Sequence, residues 1–371
     1  MTKLTGAGNM LLNCAKAQPG ERILIAYEPA KYGYYDASVL NAVSRAARDL
    51  GLKVKTINVG FDPYVTDLPD GLRAQMEKVD IVVFLARLGD QLRFCDMPSD
   101  TRIVVSFALD DGMLESCFGT TPHAAMVDLK NLVTKALKSS RMVRVTCPHG
   151  TDFEGQPDMP RIGAGDTTVL RFPMSVFKPV PAQSFTGQVA LCGFLTGTGS
   201  RYYDDYTVEF DGRVMAHMRQ GRLLGFTGSD RDVALANAHY DRIAQAFGID
   251  RDCVHSWHAG IHPGCGYLKQ ASENYERWSG AAFGNPRILH FHTCGSYAPG
   301  EISWNVLDPT IWLDDVPVWE NGVFHPSRIR GGQAVLDRYP DVARIFAHPD
   351  AHVGLKDWGL PMPGHGLEAV S

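Results

Sequence analysis

The sequence predicts an α/β protein in which an N-terminal Rossmann-like or flavodoxin-like parallel sheet precedes a mixed, largely antiparallel α+β domain. Three observations lead there. The 371 residues exceed the roughly 100–200 usual for one domain. Short apolar runs alternate with helical patterns as far as about residue 140. Beyond that point strand-like pieces follow one another with few helices between them. The division is set at 142/143, giving domains 1–142 and 143–371.

RILIAYEP, from Arg22, is a short apolar run suited to a buried parallel strand. DASVLNAVSRAARDLG carries apolar residues at helical spacing and stops at Gly51, and KVKTINVG is the next strand. VDIVVFLA and RIVVSFAL repeat the strand pattern, and AAMVDLKNLVTKALKSS reads as a helix. This alternation implies a parallel sheet covered on both faces. No G-x-G-x-x-G follows the first strand, so a dinucleotide site has no support. In the second half, MVRVTCPHGTDF reads as a strand running into a glycine turn, and FDGRVM carries the Asp-Gly pair of a hairpin. DVALANAHYDRIAQAFG is a helix ending at Gly248. The tail from Pro340, rich in Pro, Gly and His, is expected to lie over a neighbouring surface.

Composition narrows the function. Hydrophobic content of 44% and charged content of 21% are those of a soluble globular protein with a sizeable core. A net charge of −5 gives no reason to expect nucleic acid or an anionic membrane as partner. The N-terminus lacks the continuous apolar core of a signal peptide, and no run suits a membrane span. The eight cysteines are too dilute for a disulfide scaffold, and none falls in a C-x-x-C pair. A cytoplasmic protein with reduced thiols is expected.

Chemistry concentrates between residues 255 and 292, which hold five of the thirteen histidines: His255, His258, His262, His290 and His292. In a strand, side chains two apart share a face, so His290 and His292 point the same way while Phe291 faces the opposite layer. Their apolar neighbours Ile288 and Leu289 imply burial, and a buried imidazole must be hydrogen-bonded, ion-paired or coordinated. A divalent cation joins such imidazoles well, because neutral imidazole is a ligand for Zn, Fe, Ni or Cu. GSYAPGE then brings Glu301 to the start of another apolar run. A carboxylate beside two histidines completes the ligand set of non-haem Fe(II) oxygenases. His258 and His262 are four apart, but Gly260 and Pro263 argue against a helix and no Glu follows His258, so a zincin helix is excluded. Cys294 and Cys265 are further candidate nucleophiles, with nothing in the sequence to lower their pKa.

GERILIAYEP, VRVTCPHGTDFEG, FDGRVM and DPTIWLDDVPVWENG occur in that order over roughly residues 20–325. They resemble the recurring blocks of the M29-type aminopeptidase superfamily, and in particular its 2,5-dihydroxypyridine 5,6-dioxygenase-like branch. VTCPHGTDF is the most specific piece. The resemblance implies either a two-metal peptidase or a ring-cleaving dioxygenase with a single Fe(II). Ahead of the segment matching HAGIHP the peptidases carry a glutamate and the dioxygenase a histidine. This chain has His258 there, which favours mononuclear iron. The family's H-x-D pair falls at Glu301 and Ser303, so its ligand triad does not transfer residue by residue. His290 with Tyr297 keeps a seven-residue His–Tyr spacing of the peptidases. The ligand set is therefore read as His258, one or both of His290 and His292, and Glu301. The first-domain loop that carries an acid/base histidine in the dioxygenase reads ARLGDQLRF here, with Arg87, Asp90 and Arg93 but no histidine.

The expected function is that of an Fe(II)-dependent ring-cleaving dioxygenase acting on a hydroxylated aromatic or dihydroxypyridine-like N-heterocycle and O₂. His262 and Tyr297 are candidate proton-transfer groups, Arg87 or Arg93 is a candidate partner for a substrate carboxylate or phenolate, and Asp90 of the same loop is a further catalytic candidate. The alternative is a Zn or Mn hydrolase, an aminopeptidase or amidohydrolase, with Glu301 or Glu273 as base. A metal-dependent structural module is a third reading. The resemblance also implies a homo-oligomer, at least a dimer.

Overall fold

Runs of branched apolar residues make the first strands of the computed structural model: β1 (Arg22–Tyr27), β2 (Lys53–Asn58), β3 (Ile81–Leu85) and β4 (Arg102–Ser106). The structure describes residues 4–158, 169–197, 203–295 and 300–355. The chain divides into two units, Met1–Val127 with Ile162–Met174, and Asp128–Arg161 with Ser175–Ser371.

In the first unit the strand order is β2-β1-β3-β4, extended beyond β4 by the short strand Leu170–Phe172. Every pairing is parallel. This is the doubly wound, flavodoxin-like order. Leu24, Phe84 and Val105 pack with Leu72, Met76 and Leu88 in one buried cluster. Burying each such side chain fully stabilises the unit by about 1.5–3 kcal/mol. Helix α1 (Ala37–Asp49) buries Val39, Val43 and Ala47 at helical spacing. The outer strand β2 leaves Lys53 and Lys55 exposed, charges that discourage pairing with another chain.

The second unit is built from antiparallel sheets. Eight strands lie in the order Arg222–Thr227, Met215–Arg219, Thr186–Ala190, Asp152–Gly155, Val143–Thr146, Thr310–Leu313, Val316–Glu320 and Val323–Phe324. A second, four-stranded sheet contains β5 (Val254–Ala259), β6 (Ile288–Thr293) and β7 (Asn305–Leu307) in the order β7-β6-β5, with Val180–Pro181 outside β5. All its pairings are antiparallel. Trp257 of β5 and Phe291 of β6 leave one face of this sheet and meet Phe153, their ring centroids 5.7 and 5.2 Å from its own. The alternation that commits these rings to an aromatic layer sends His258, His290 and His292 to the other face. The fold class is thus the α/β arrangement that the sequence predicts, a parallel sheet and a larger antiparallel one.

One local expectation is corrected. Asp211-Gly212 does not turn a hairpin. Its two N–H groups donate to the buried carboxylate of Asp232, at 3.1 and 3.0 Å, near the start of helix α2 (Asp230–Phe247). The strands on either side pair elsewhere, Val208–Glu209 with Phe194–Leu195 and Met215–Arg219 with Thr186–Ala190. The tight hairpin turn is Gln220-Gly221 instead, with φ of 48° and 70°, the left-handed pair that such a turn requires. The tail, in turn, opens with a helix, Pro340–Ala347, because proline at the first helical position is preset for one. Its described end then packs on other segments of the second unit, where Tyr267 N–H donates to the His352 carbonyl and Trp278 Nε1 to that of Val353. The remainder, 356–371, lies outside the described residues. No described helix is long and apolar enough to cross a membrane.

Candidate metal centre

Register places the site. On β5 and β6, His258 pairs with His290 and Ser256 with His292. On β6 and β7, His290 pairs with Asn305 and Ile288 with Leu307. The same register continues past the end of β7, since Thr293 bridges Ile302 and Phe291 N–H donates to the Trp304 carbonyl. Ser303 therefore lies opposite His292. One face of the sheet so carries three rows: Ser256–His292–Ser303, His258–His290–Asn305, and Gly260–Ile288–Leu307. The last row is closed at Gly260, where a Cβ would stand 2.2 Å from the Asn285 carbonyl oxygen.

The three imidazoles of this face form one cluster, with their candidate ligand nitrogens all within 4.8 Å of one another. Ring centroids lie 4.1 Å apart for His258 and His290, and 5.3 Å from His292 to each of the other two. His258 Nδ1 donates to the Phe177 carbonyl at 2.8 Å, and His292 Nδ1 donates to Glu301 Oε1 at 2.8 Å. Those two bonds fix both tautomers, leaving a lone pair on each Nε2. The two Nε2 atoms face each other at 3.3 Å. Lone pairs that close repel unless a cation or a proton sits between them. Metal–nitrogen bonds of about 2.0–2.1 Å meeting at ordinary angles would set two nitrogens about 2.9–3.4 Å apart, so the donor set fits a divalent ion. His290 is held by stacking on Phe283, centroid to centroid 3.9 Å at 20°. Phe283 directly follows helix α3 (Tyr275–Ala282), which thereby positions the ring.

Glu301 was expected among the ligands. Its side chain is 5% exposed, and its Oε1 accepts from the Nδ1 edge of His292, the edge away from the Nε2 that faces His258. The Tyr203 hydroxyl donates to its main-chain carbonyl at 3.0 Å. Behind β6, Tyr240 of α2 bonds both Thr293 Oγ1 and, at 2.6 Å, the indole N–H of Trp304, tying the strand to the helix. His255 sits beside this edge with Nδ1 on Ser256 Oγ at 3.0 Å. Burial first, and then nearby His292, holds it below the usual histidine range.

His262 lies in the turn after β5, fully buried, with Nδ1 accepting from Gly264 N–H at 3.1 Å. Tyr297 lies outside the described residues. Arg87 and Asp90 belong to the first unit. There Arg87 is buried against Glu28, Nε to Oε2 3.1 Å, with its guanidinium 3.3 Å from the centre of the Phe61 ring. Asp90 pairs with Arg93 at 3.3 Å. Glu273 accepts from Gln270 N–H at 3.0 Å as part of a capping box. Burial pushes the Cys294 thiol up to about 12 and Cys265 higher still, which disfavours either as a nucleophile. Sequence reasoning missed Phe177, Phe283 and Asn305. The alternation of SWN after Glu301 was the one signal available for Asn305.

No family model matches this sequence, and no curated protein matches it. Solved structures do. The structure of 2,5-dihydroxypyridine dioxygenase from Pseudomonas putida KT2440 superposes with a TM-score of 0.56 at 16% identity, covering 87% of this chain and 96% of that one. AmpT from Thermus thermophilus gives a TM-score of 0.47 at 9% identity, covering 86% and 98%. The first of these shows a shared fold across most of both chains, in line with the resemblance read from the sequence.

Proposed function

We propose that His258, His290 and His292 hold one divalent metal ion, and that the chain is an Fe(II)-dependent ring-cleaving dioxygenase for a hydroxylated aromatic or N-heterocyclic small molecule. The observation that carries the metal reading is the pair of Nε2 atoms 3.3 Å apart, each on a ring whose Nδ1 is already engaged. The shared fold with a dihydroxypyridine dioxygenase supports the choice of chemistry. Bound Fe(II) would supply open positions for substrate and O₂ and relay charge between them.

The protein's own residues then have defined tasks. Phe177 and Glu301 keep His258 and His292 in the tautomer that presents Nε2, and Phe283 seats His290. Three neutral imidazoles leave the charge of a divalent ion uncompensated, and the Glu301 carboxylate offsets only part of it. Such a site prefers an anionic ligand, as a deprotonated diol or hydroxypyridine would be. Burial of His258 and His290, at 4% and 3% exposure, restricts water at the inner side of the cluster.

A second reading is a hydrolase. Three histidines with an open fourth position are also the donor set of catalytic zinc, which lowers the pKa of bound water to about 7. The two readings separate on reloading metal-free protein anaerobically with Fe(II), Zn(II) or Mn(II) and assaying dihydroxypyridines and small amides. O₂ consumption that requires Fe(II) and a dihydroxypyridine is expected. Amide turnover without O₂ under Zn(II) or Mn(II), with no O₂ uptake under Fe(II), would replace the oxygenase by the hydrolase.

A further inference from the structure

We propose that Asn305 is a ligand-binding residue whose side-chain amide N–H donates to an anionic oxygen of a planar molecule held at the imidazole cluster. This rests on the reading of that cluster as a cation site. Asn305 stands directly opposite His290 in the register of β6 and β7. Their Cβ atoms are therefore about 4.5–5.5 Å apart, on the same face. The residue is fully buried. Its backbone is clamped on both sides, by the pairing with β6 and by Cys192 N–H donating to its carbonyl at 3.1 Å. The side chain is oriented too, because Ser303 Oγ donates to Asn305 Oδ1 at 2.9 Å. That contact leaves Nδ2 as the uncommitted donor, and among the described residues Nδ2 has no hydrogen-bond partner.

A buried donor held rigid and unmet is unfavourable in a core, and native interiors keep few of them. Placed beside His290, it is matched by an acceptor that arrives with the ligand. A hydrogen bond to a charged acceptor is stronger than one to a neutral group, so a phenolate, hydroxypyridinolate or carboxylate oxygen suits it best. The next row on this face, Ile288–Leu307, is apolar and buried, so it offers no competing acceptor side chain. Asn305 would thus fix which oxygen of a two-oxygen ligand lies toward β7.

The test uses full-length protein loaded with Zn(II) and titrated with 4-nitrocatechol, whose visible absorption reports the bound anion. Asn305→Asp keeps size and the acceptor for Ser303 while replacing the donor with a negative oxygen, and Asn305→Ala removes the group. Both are expected to hold Zn(II) at the wild-type stoichiometry and to bind 4-nitrocatechol at least tenfold more weakly, the aspartate variant the weaker. Should the alanine variant not fold, the isosteric aspartate decides. Variants that hold Zn(II) and bind the probe within twofold of wild type overturn the assignment alone, and so does loss of Zn(II), which would make Asn305 part of the metal-holding structure. Wild-type protein that takes up no cation overturns the cation reading and this proposal together.

Discussion

Glu301 illustrates how much of the site a residue's position in the sequence can carry. Its nearness to a strand histidine was legible, but whether its carboxylate meets a metal or an imidazole depends on the path of the loop, which no periodicity encodes. In the structure it meets Nδ1 of His292. Replacing it by Gln keeps the shape and removes the anionic partner, and is expected to weaken metal affinity about 10–100-fold without abolishing binding. Competition with a chromogenic chelator measures this. An unchanged affinity would detach Glu301 from the site, and complete loss would make it a ligand. His290 and His292 were legible because two-residue alternation sorts a strand's side chains, with Phe291 marking the opposite layer, whereas His258 was read from the resemblance alone. The Phe177 carbonyl was not legible, since a main-chain acceptor 81 residues from His258 leaves no mark on side-chain pattern.

At the scale of elements, the strands and longer helices follow from apolar spacing, while close backbone approaches do not. Gly260 reads in the sequence only as a residue that argues, with Pro263, against a helix. The structure gives a sharper reason for it, because an added Cβ would lie 2.2 Å from the Asn285 oxygen and 2.4 Å from the Asn285 and Gly284 carbonyl carbons, all backbone. Gly260→Ala is expected to destabilise the fold by about 1–3 kcal/mol through overpacking, read as a lower denaturant midpoint. A midpoint equal to wild type would show that the turn yields freely. Asp211-Gly212 misled for a related reason: its hairpin chemistry is local, but the Asp232 carboxylate that captures its N–H groups comes from a helix twenty residues on. The strand Leu170–Phe172 is too short for any alternation to register, yet it completes the parallel sheet.

For the molecule as a whole, each unit buries a histidine that resists protonation. Burial first, with a nearby cation second, brings His123 in the first unit and His239 in the second from 6.5 down to about 4. Between those values the unfolded chain binds the proton and the folded one does not, so their contribution is complete above pH 6.5 and is lost as pH falls toward 4. Each is worth at most ~3 kcal/mol. The melting temperature is expected to fall across that window, and less steeply in His239→Gln and His123→Gln. Slopes equal to wild type would contradict it. Above all, the account depends on three imidazoles from two adjacent strands meeting on one ion. Metal analysis of wild type and of His258→Ala, His290→Ala and His292→Ala tests this most directly. One divalent ion per wild-type chain, and a marked loss in all three folded variants, is the expected result; a wild type without metal, or variants that keep a full complement, would contradict it.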